Sequence, residues 1–273
     1  MNKKIIIGII GLIVLLFGIF AAGCGATAYI TYSNAFKQTF DVDSMELKTT
    51  VKASLDGGTS ITSTGTFKLK DMKSANAPQF LNIMEIDGKT ITQFCDGNNV
   101  YTDDGQSKNK MALGNDSKPA DNMPQEHEQK NNSAFTYEAY ISEFSSMIDA
   151  GKIKEMSSIE PIAEKYVVEI KTSSVSGGKQ YDVELLPAFL TEIKSSFLNE
   201  SADSANSPEV EADSIAYSAI IKNGFVDEIT FTFGLSIKAP GDDEAKKADV
   251  ILTLKPVNPG QEVSFDLPST DGF

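Results

Sequence analysis

The chain has 273 residues and a formal net charge of −14, with 38 acidic residues against 24 basic ones, no tryptophan and no arginine, so every basic residue is a lysine. Such a surface repels phosphate backbones and lacks the bidentate guanidinium that reads phosphate or guanine, which disfavours nucleic acid as a partner. Two cysteines, Cys24 and Cys95, are too few for a disulfide framework, so stability must come from packing.

Met1-Asn2-Lys3-Lys4 is a short positive start, and residues 5–20 form an uninterrupted apolar run, the build of an export signal. Two readings compete for this segment. Ala21-Ala22-Gly23-Cys24 is similar to a bacterial lipobox, in which Cys24 is acylated and becomes the new N-terminus; Ala21 stands where the box usually has leucine. Extended to Ile30, the same run is long enough for one uncleaved spanning helix of about 20 residues. Either way the lysines stay inside and the body lies on the extracytoplasmic face of the membrane. The expected division is a signal peptide or anchor over 1–23, a tether with a short helix over 24–44, and a β-rich domain over 45–273. Abundant lysine, isoleucine and asparagine without arginine point to an AT-rich genome and a low-GC Gram-positive source.

From Met45 the pattern has period two. Met45, Leu47, Val51 and Ala53 face one way and Glu46, Lys48, Lys52 and Ser54 the other, the signature of a half-buried strand. A turn at 56–59 returns the chain into Ile61, Gly65, Phe67 and Leu69, which continue the apolar face. Shorter strands at 80–86, 90–94 and 100–101 are separated by Asp87-Gly88 and Asp96-Gly97-Asn98-Asn99, both strong turn signals. Residues 115–133 are too polar to bury a core and read as a long surface loop.

Residues 136–150 switch to helical spacing, with Tyr137, Tyr140, Ile141, Phe144, Met147 and Ile148 along one stripe. Strands resume at 166–171 and 180–185, and Pro187 suits the first turn of a second amphipathic helix through Phe189, Leu190, Ile193 and Phe197. Residues 199–209 read as a polar loop. Strands follow at 215–221 and, after the Asn223-Gly224 turn, from Ile229 to Ile237. Val250, Leu252 and Leu254 alternate again, and Val263, Phe265 and Leu267 finish the chain in the same rhythm. No repeat recurs at a fixed period, which disfavours solenoids and propellers. The expected class is α+β, with one antiparallel sheet.

The order of these features is a cysteine at a lipobox-like site, a short helix bearing Tyr29, Ala35, Phe36, Lys37 and Thr39, and an amphipathic hairpin. The Asp96–Tyr101 turn and strand, an amphipathic helix, the 181–197 strand and helix, and a long closing hairpin follow. In that order they resemble the LolA/LppX-like lipoproteins of bacterial envelopes. The resemblance implies a curved antiparallel half-barrel covered by amphipathic helices, with room between them for acyl chains or another apolar ligand. It supplies a fold and no substrate.

Candidate residues follow from these readings. Cys24 is the candidate lipidation site. Phe67, Leu69, Phe94, Tyr101, Phe144, Phe189, Phe197, Phe231 and Phe233 lie on apolar faces and are either core or the lining of an apolar cavity. His127, the only histidine, sits in the polar loop between Glu126 and Glu128 without positioned partners and reads as solvated. The Asp96 loop with Asp103 and Asp104 fails the EF-hand ligand order and reads as a turn. No nucleophile elbow, Walker loop or dinucleotide glycine pattern is present. The expectation is a monomeric, non-enzymatic protein without metal or cofactor, tied to a membrane through its N-terminus. Its body either binds or carries a lipid-like ligand, or is a packed structural or protein- and wall-binding surface module.

Overall fold

The structure is a computed structural model that describes residues 27–55, 59–73, 79–86, 88–112, 166–186, 188–189, 209–238 and 244–273. Its elements in chain order are the helix α1 (Thr27–Phe40) and strands β1 (Met45–Leu55), β2 (Thr59–Lys70), β3 (Gln79–Ile86), β4 (Lys89–Cys95), β5 (Asn99–Asp103) and β6 (Lys108–Ala112). These are followed by β7 (Val167–Val175), β8 (Gly178–Leu185), β9 (Glu209–Lys222), β10 (Phe225–Lys238) and β11 (Lys246–Val257).

All eleven strands join one sheet in the order β6-β5-β4-β3-β2-β1-β11-β10-β9-β8-β7, with every pairing antiparallel. Two meanders, β1–β6 and β7–β11, are welded where β1 pairs β11, from Glu46 opposite Val257 to Leu55 opposite Ala248. The Asn223-Gly224 turn carries positive φ at both positions, 52° and 83°, the backbone that a tight hairpin between β9 and β10 demands. Two irregularities in the β9–β10 ladder, between Val226 and Glu228 and between Gly234 and Leu235, bend this longest hairpin.

Period-two alternation divides the sheet into two faces. The inner face carries Leu47, Val51, Ile61, Phe67, Leu69, Tyr217, Phe231, Phe233, Val250 and Leu252, all buried in one apolar cluster. The helix lays Tyr29, Tyr32, Phe36 and Phe40 onto this face at helical spacing, against β10 and β7, and leaves Ile30 to solvent. Its end is pinned: the Thr39 hydroxyl donates to the Ala35 carbonyl (2.7 Å) and accepts the Val226 N–H (2.8 Å).

The expected helix-covered half-barrel of α+β type is overturned. Among the described residues the molecule is one large antiparallel sheet with a single delimited helix. Consecutive hairpins satisfy one another's backbone groups, and the β1–β11 pairing turns two strand groups into one ladder. The helical stretch at 136–150 and, apart from Ala188 and Phe189, the one at 187–197 lie outside the described residues, as do the 115–133 loop and His127. Two strand readings also change. Lys108–Ala112 is a strand despite its polar sequence, because it pairs with β5. Val263, Phe265 and Leu267 alternate as expected but join no ladder; the chain after Val257 runs as an extended strap without strand pairing.

Candidate functional site

The inner face is aromatic over α1 and the β8–β10 strands. The Tyr32 ring lies 4.7 Å from Phe36 and edge-on to Tyr217 at 5.9 Å, and its hydroxyl donates to the Tyr217 hydroxyl at 2.8 Å. Tyr217 meets Phe231 at 4.8 Å, and Phe231 stacks on Phe233 at 5.9 Å and 7°. Burial, and then the neighbouring Tyr32, push the Tyr217 phenol well above its ordinary range, so this pair is a neutral polar point in an apolar wall.

Across β3, β4 and β5 the same face turns polar. Antiparallel register sets Phe67 opposite Asn82, Asn82 opposite Gln93, and Gln93 opposite Thr102. Asn82, Gln93 and Thr102 are only 4 %, 5 % and 3 % exposed. Thr49 and Ser63 add two more buried hydroxyl side chains on the inner faces of β1 and β2. The result is a polar island in an apolar field. Sequence reading passed over it, although parity with Phe80, Cys95 and Val100 placed Asn82, Gln93 and Thr102 on the inner face.

Of the nine candidate cavity residues, Phe67, Leu69, Phe189, Phe231 and Phe233 belong to the inner-face cluster. Phe94 and Tyr101 point the other way. They stack on each other at 4.7 Å and form a separate outer-face cluster with Leu81, Phe265, Leu267 and Phe273. Phe144, Phe197 and Cys24 lie outside the described residues.

Cys95, fully buried, accepts a hydrogen bond from the Gly97 N–H (3.3 Å). Burial first, and then the Asp96 charge, push its thiol up to about 11 against the pull of that N–H. The Asp96 loop is a side-chain-capped turn. One carboxylate oxygen accepts the N–H groups of Asn98 (2.8 Å) and Asn99 (2.7 Å), and the other accepts the Tyr101 hydroxyl (3.0 Å). Burial alone would raise the Asp96 carboxyl, but these donors together hold it below the usual range. Among the described residues no group of His, Cys, Asp and Glu is placed to hold a metal ion.

The outer face of β7–β10 carries a shallow open depression of about 370 Å³, lined among others by Glu169, Lys171, Asp182, Glu184, Ser218 and Thr230. Its Lys171–Glu169 ion pair (3.0 Å) is exposed. Among the described residues no helix is long and apolar enough to cross a membrane; residues 5–20 are not among them.

No family model matches the chain, and no curated protein matches it. Among solved structures it is similar to a LolA superfamily protein from Nitrosomonas europaea, at 9 % identity and a TM-score of 0.24, over 89 % of this chain and 96 % of that one. It is also similar to a DUF1329 family protein from Desulfovibrio piger, at 9 % identity and a TM-score of 0.27, over 86 % and 92 %. No family is assigned to the chain. Likenesses at this level carry no argument about its chemistry, which rests on the residues themselves.

Proposed function

We propose that this chain is a membrane-anchored extracytoplasmic protein that binds or carries a hydrophobic, lipid-like molecule on the inner face of its sheet, and that it acts by binding and not by catalysis. The observation that carries this reading is the buried polar row Asn82, Gln93 and Thr102 in cross-strand register on an otherwise apolar face. A packed core ordinarily fills such positions with apolar side chains, and Asn, Gln and Thr are mostly found exposed. A molecule with an apolar body and a polar head fits both surfaces at once. Its chains lie along Phe67, Leu69 and Phe80 on the β2–β3 side of the face, and its esters or hydroxyls bond the amides. The apolar run at 5–20 supports the same reading, since it holds the face close to lipid, whether through acylated Cys24 or a spanning helix.

Native mass spectrometry of the folded chain, with solvent extracts of the same preparation, tests the proposal. A retained lipid that is lost in the Asn82→Leu/Gln93→Leu double variant is the expected result. A wild-type chain that neither retains nor takes up lipid from vesicles would overturn it. Intact mass of the membrane-extracted protein separates cleavage and acylation at Cys24 from a full-length anchor.

One observation favours the second reading, a packed surface module without ligand. Ala219, Val226 and Ile237 on the inner side of β9 and β10 are wholly buried, so that half of the face is closed. A lipid-free preparation whose Asn82→Leu variant is more stable and otherwise unchanged would decide for it.

A further inference from the structure

The outer face of β2–β6 carries a second row in cross-strand register: Lys68, Leu81, Phe94, Tyr101 and Lys110. Three apolar side chains are thus flanked by lysines, on a chain whose net charge is −14. Residues 261–273 lie across this row. Phe273 stands edge-on to both members of the Phe94–Tyr101 stack, at 5.7 and 5.2 Å, and Phe265 and Leu267 join the same cluster. Lys70 lies 5.1 Å from the Phe265 ring and Lys108 lies 4.7 Å from the Phe273 ring, within cation–π range. The strap also carries the exposed acidic Glu262, Asp266 and Asp271, opposite in sign to the four lysines Lys68, Lys70, Lys108 and Lys110 that rim the row.

Two facts make the strap separable from the domain under it. Its apolar contacts form a cluster distinct from the main core. Among the described residues, no backbone-to-backbone hydrogen bond joins 261–273 to a strand; Val263 N–H donates to the Ser44 hydroxyl (2.9 Å), and Lys70 and Lys108 donate to the carbonyls of Phe265 (3.3 Å) and Asp271 (3.2 Å). The preceding turn is fixed independently, since the Gly260 N–H donates to the Thr39 carbonyl (3.2 Å).

We propose that the outer row of β2–β6 is a groove for an extended acidic peptide with spaced apolar residues, filled in cis by the chain's own strap, and that its trans occupant is the strap of a second copy. Exchange of an identical segment adds no new interface chemistry and is a low-cost route to dimers. It replaces the monomer expected from sequence with a concentration-dependent equilibrium. It rests on the opposite face from the ligand reading and stands or falls separately.

The test uses full-length chains and a fluorescent synthetic peptide of residues 261–273. A Phe265→Ala/Phe273→Ala chain, whose own strap is weakened, binds the peptide at least tenfold more tightly than wild type, because the cis competitor is removed. Adding Lys108→Glu/Lys110→Glu abolishes that binding. Native mass spectrometry of wild type shows dimers that grow with concentration and are competed away by free peptide. A folded double variant that binds the peptide no better than wild type, or a wild-type chain that stays monomeric at every concentration, would overturn the proposal. Should the double variant fail to fold, the wild-type dimer measurement alone decides.

Discussion

At the scale of single residues, buried ionisable and polar groups give the clearest expectations. Cys95 keeps its proton in the folded chain up to about 11, against an ordinary value of 9.0. The unfolded chain therefore releases that proton first, and stability falls as pH rises through the interval from about 9 to 11. Tyr217, also raised, extends the decline above its ordinary 10.0. Urea midpoints measured across this range should drop for wild type and drop less for Cys95→Ala; identical slopes would contradict the assignment. At neutral pH the same thiol should resist alkylation until denaturant is added. Asn82→Leu is expected to hold or raise stability, because it replaces a buried amide on an apolar face with an apolar group, while lipid retention falls. A thermal melt read beside the lipid assay checks both signs. Stability surrendered for a site is a common trade. These positions were legible in parity, since Asn82 shares its face with Phe80, yet pattern alone gives no ground for ranking a polar residue on an apolar face above a turn-side one.

At the scale of elements, two joints carry more than their length suggests. The Thr39 hydroxyl receives the buried Val226 N–H and so ties the end of α1 to the start of β10. Thr39→Val keeps the shape but leaves that N–H unpaired, at an expected cost of about 1–3 kcal/mol. A urea midpoint unchanged from wild type would show that the tie is dispensable. Gly65 on β2 lies between Thr49 of β1 and Met84 of β3 in the ladder, and a Cβ there would stand 2.8 Å from both the Ile83 carbonyl oxygen and the Thr49 hydroxyl. Gly65→Val should therefore destabilise by about 1–3 kcal/mol through overpacking. Paired with Thr49→Ala it should recover only part, since the carbonyl cannot be removed; full recovery would place the strain in Thr49 alone. Elements with strong alternation, such as β1, β2 and β10, were readable in advance. β6 was not, because Lys108, Asn109 and Lys110 have little strand preference and are held by backbone bonds to β5.

At the scale of the whole molecule, the β1–β11 ladder makes two meanders into one body, with Leu252 opposite both Val51 and Phe231. Leu252→Ala is expected to cost about 2–5 kcal/mol. Without tryptophan, tyrosine serves as the probe, with Tyr101 in one meander and Tyr217 in the other. Both should report the same melting transition before and after the substitution. Two transitions would mean that the halves are separate folding units.

Sequence by itself determined the alternation of the long strands β1, β2 and β10, the hairpin turns at Asn223-Gly224 and Asp96-Gly97, the acidic, arginine-free composition and the apolar run at 5–20, because all of these are local properties of spacing and side-chain chemistry. Only the tertiary structure decided which strands are neighbours. The pairing of β1 with β11 joins segments about 200 residues apart and is chosen by backbone hydrogen bonding and by burial of the whole inner face, neither of which leaves a local mark. Within the first meander, the register of the consecutive β3–β4 and β4–β5 hairpins aligns Asn82, Gln93 and Thr102 on one side and Leu81, Phe94 and Tyr101 on the other. Register thus builds a candidate ligand site and a strap groove back to back from residues that, read along the chain, look like ordinary alternation.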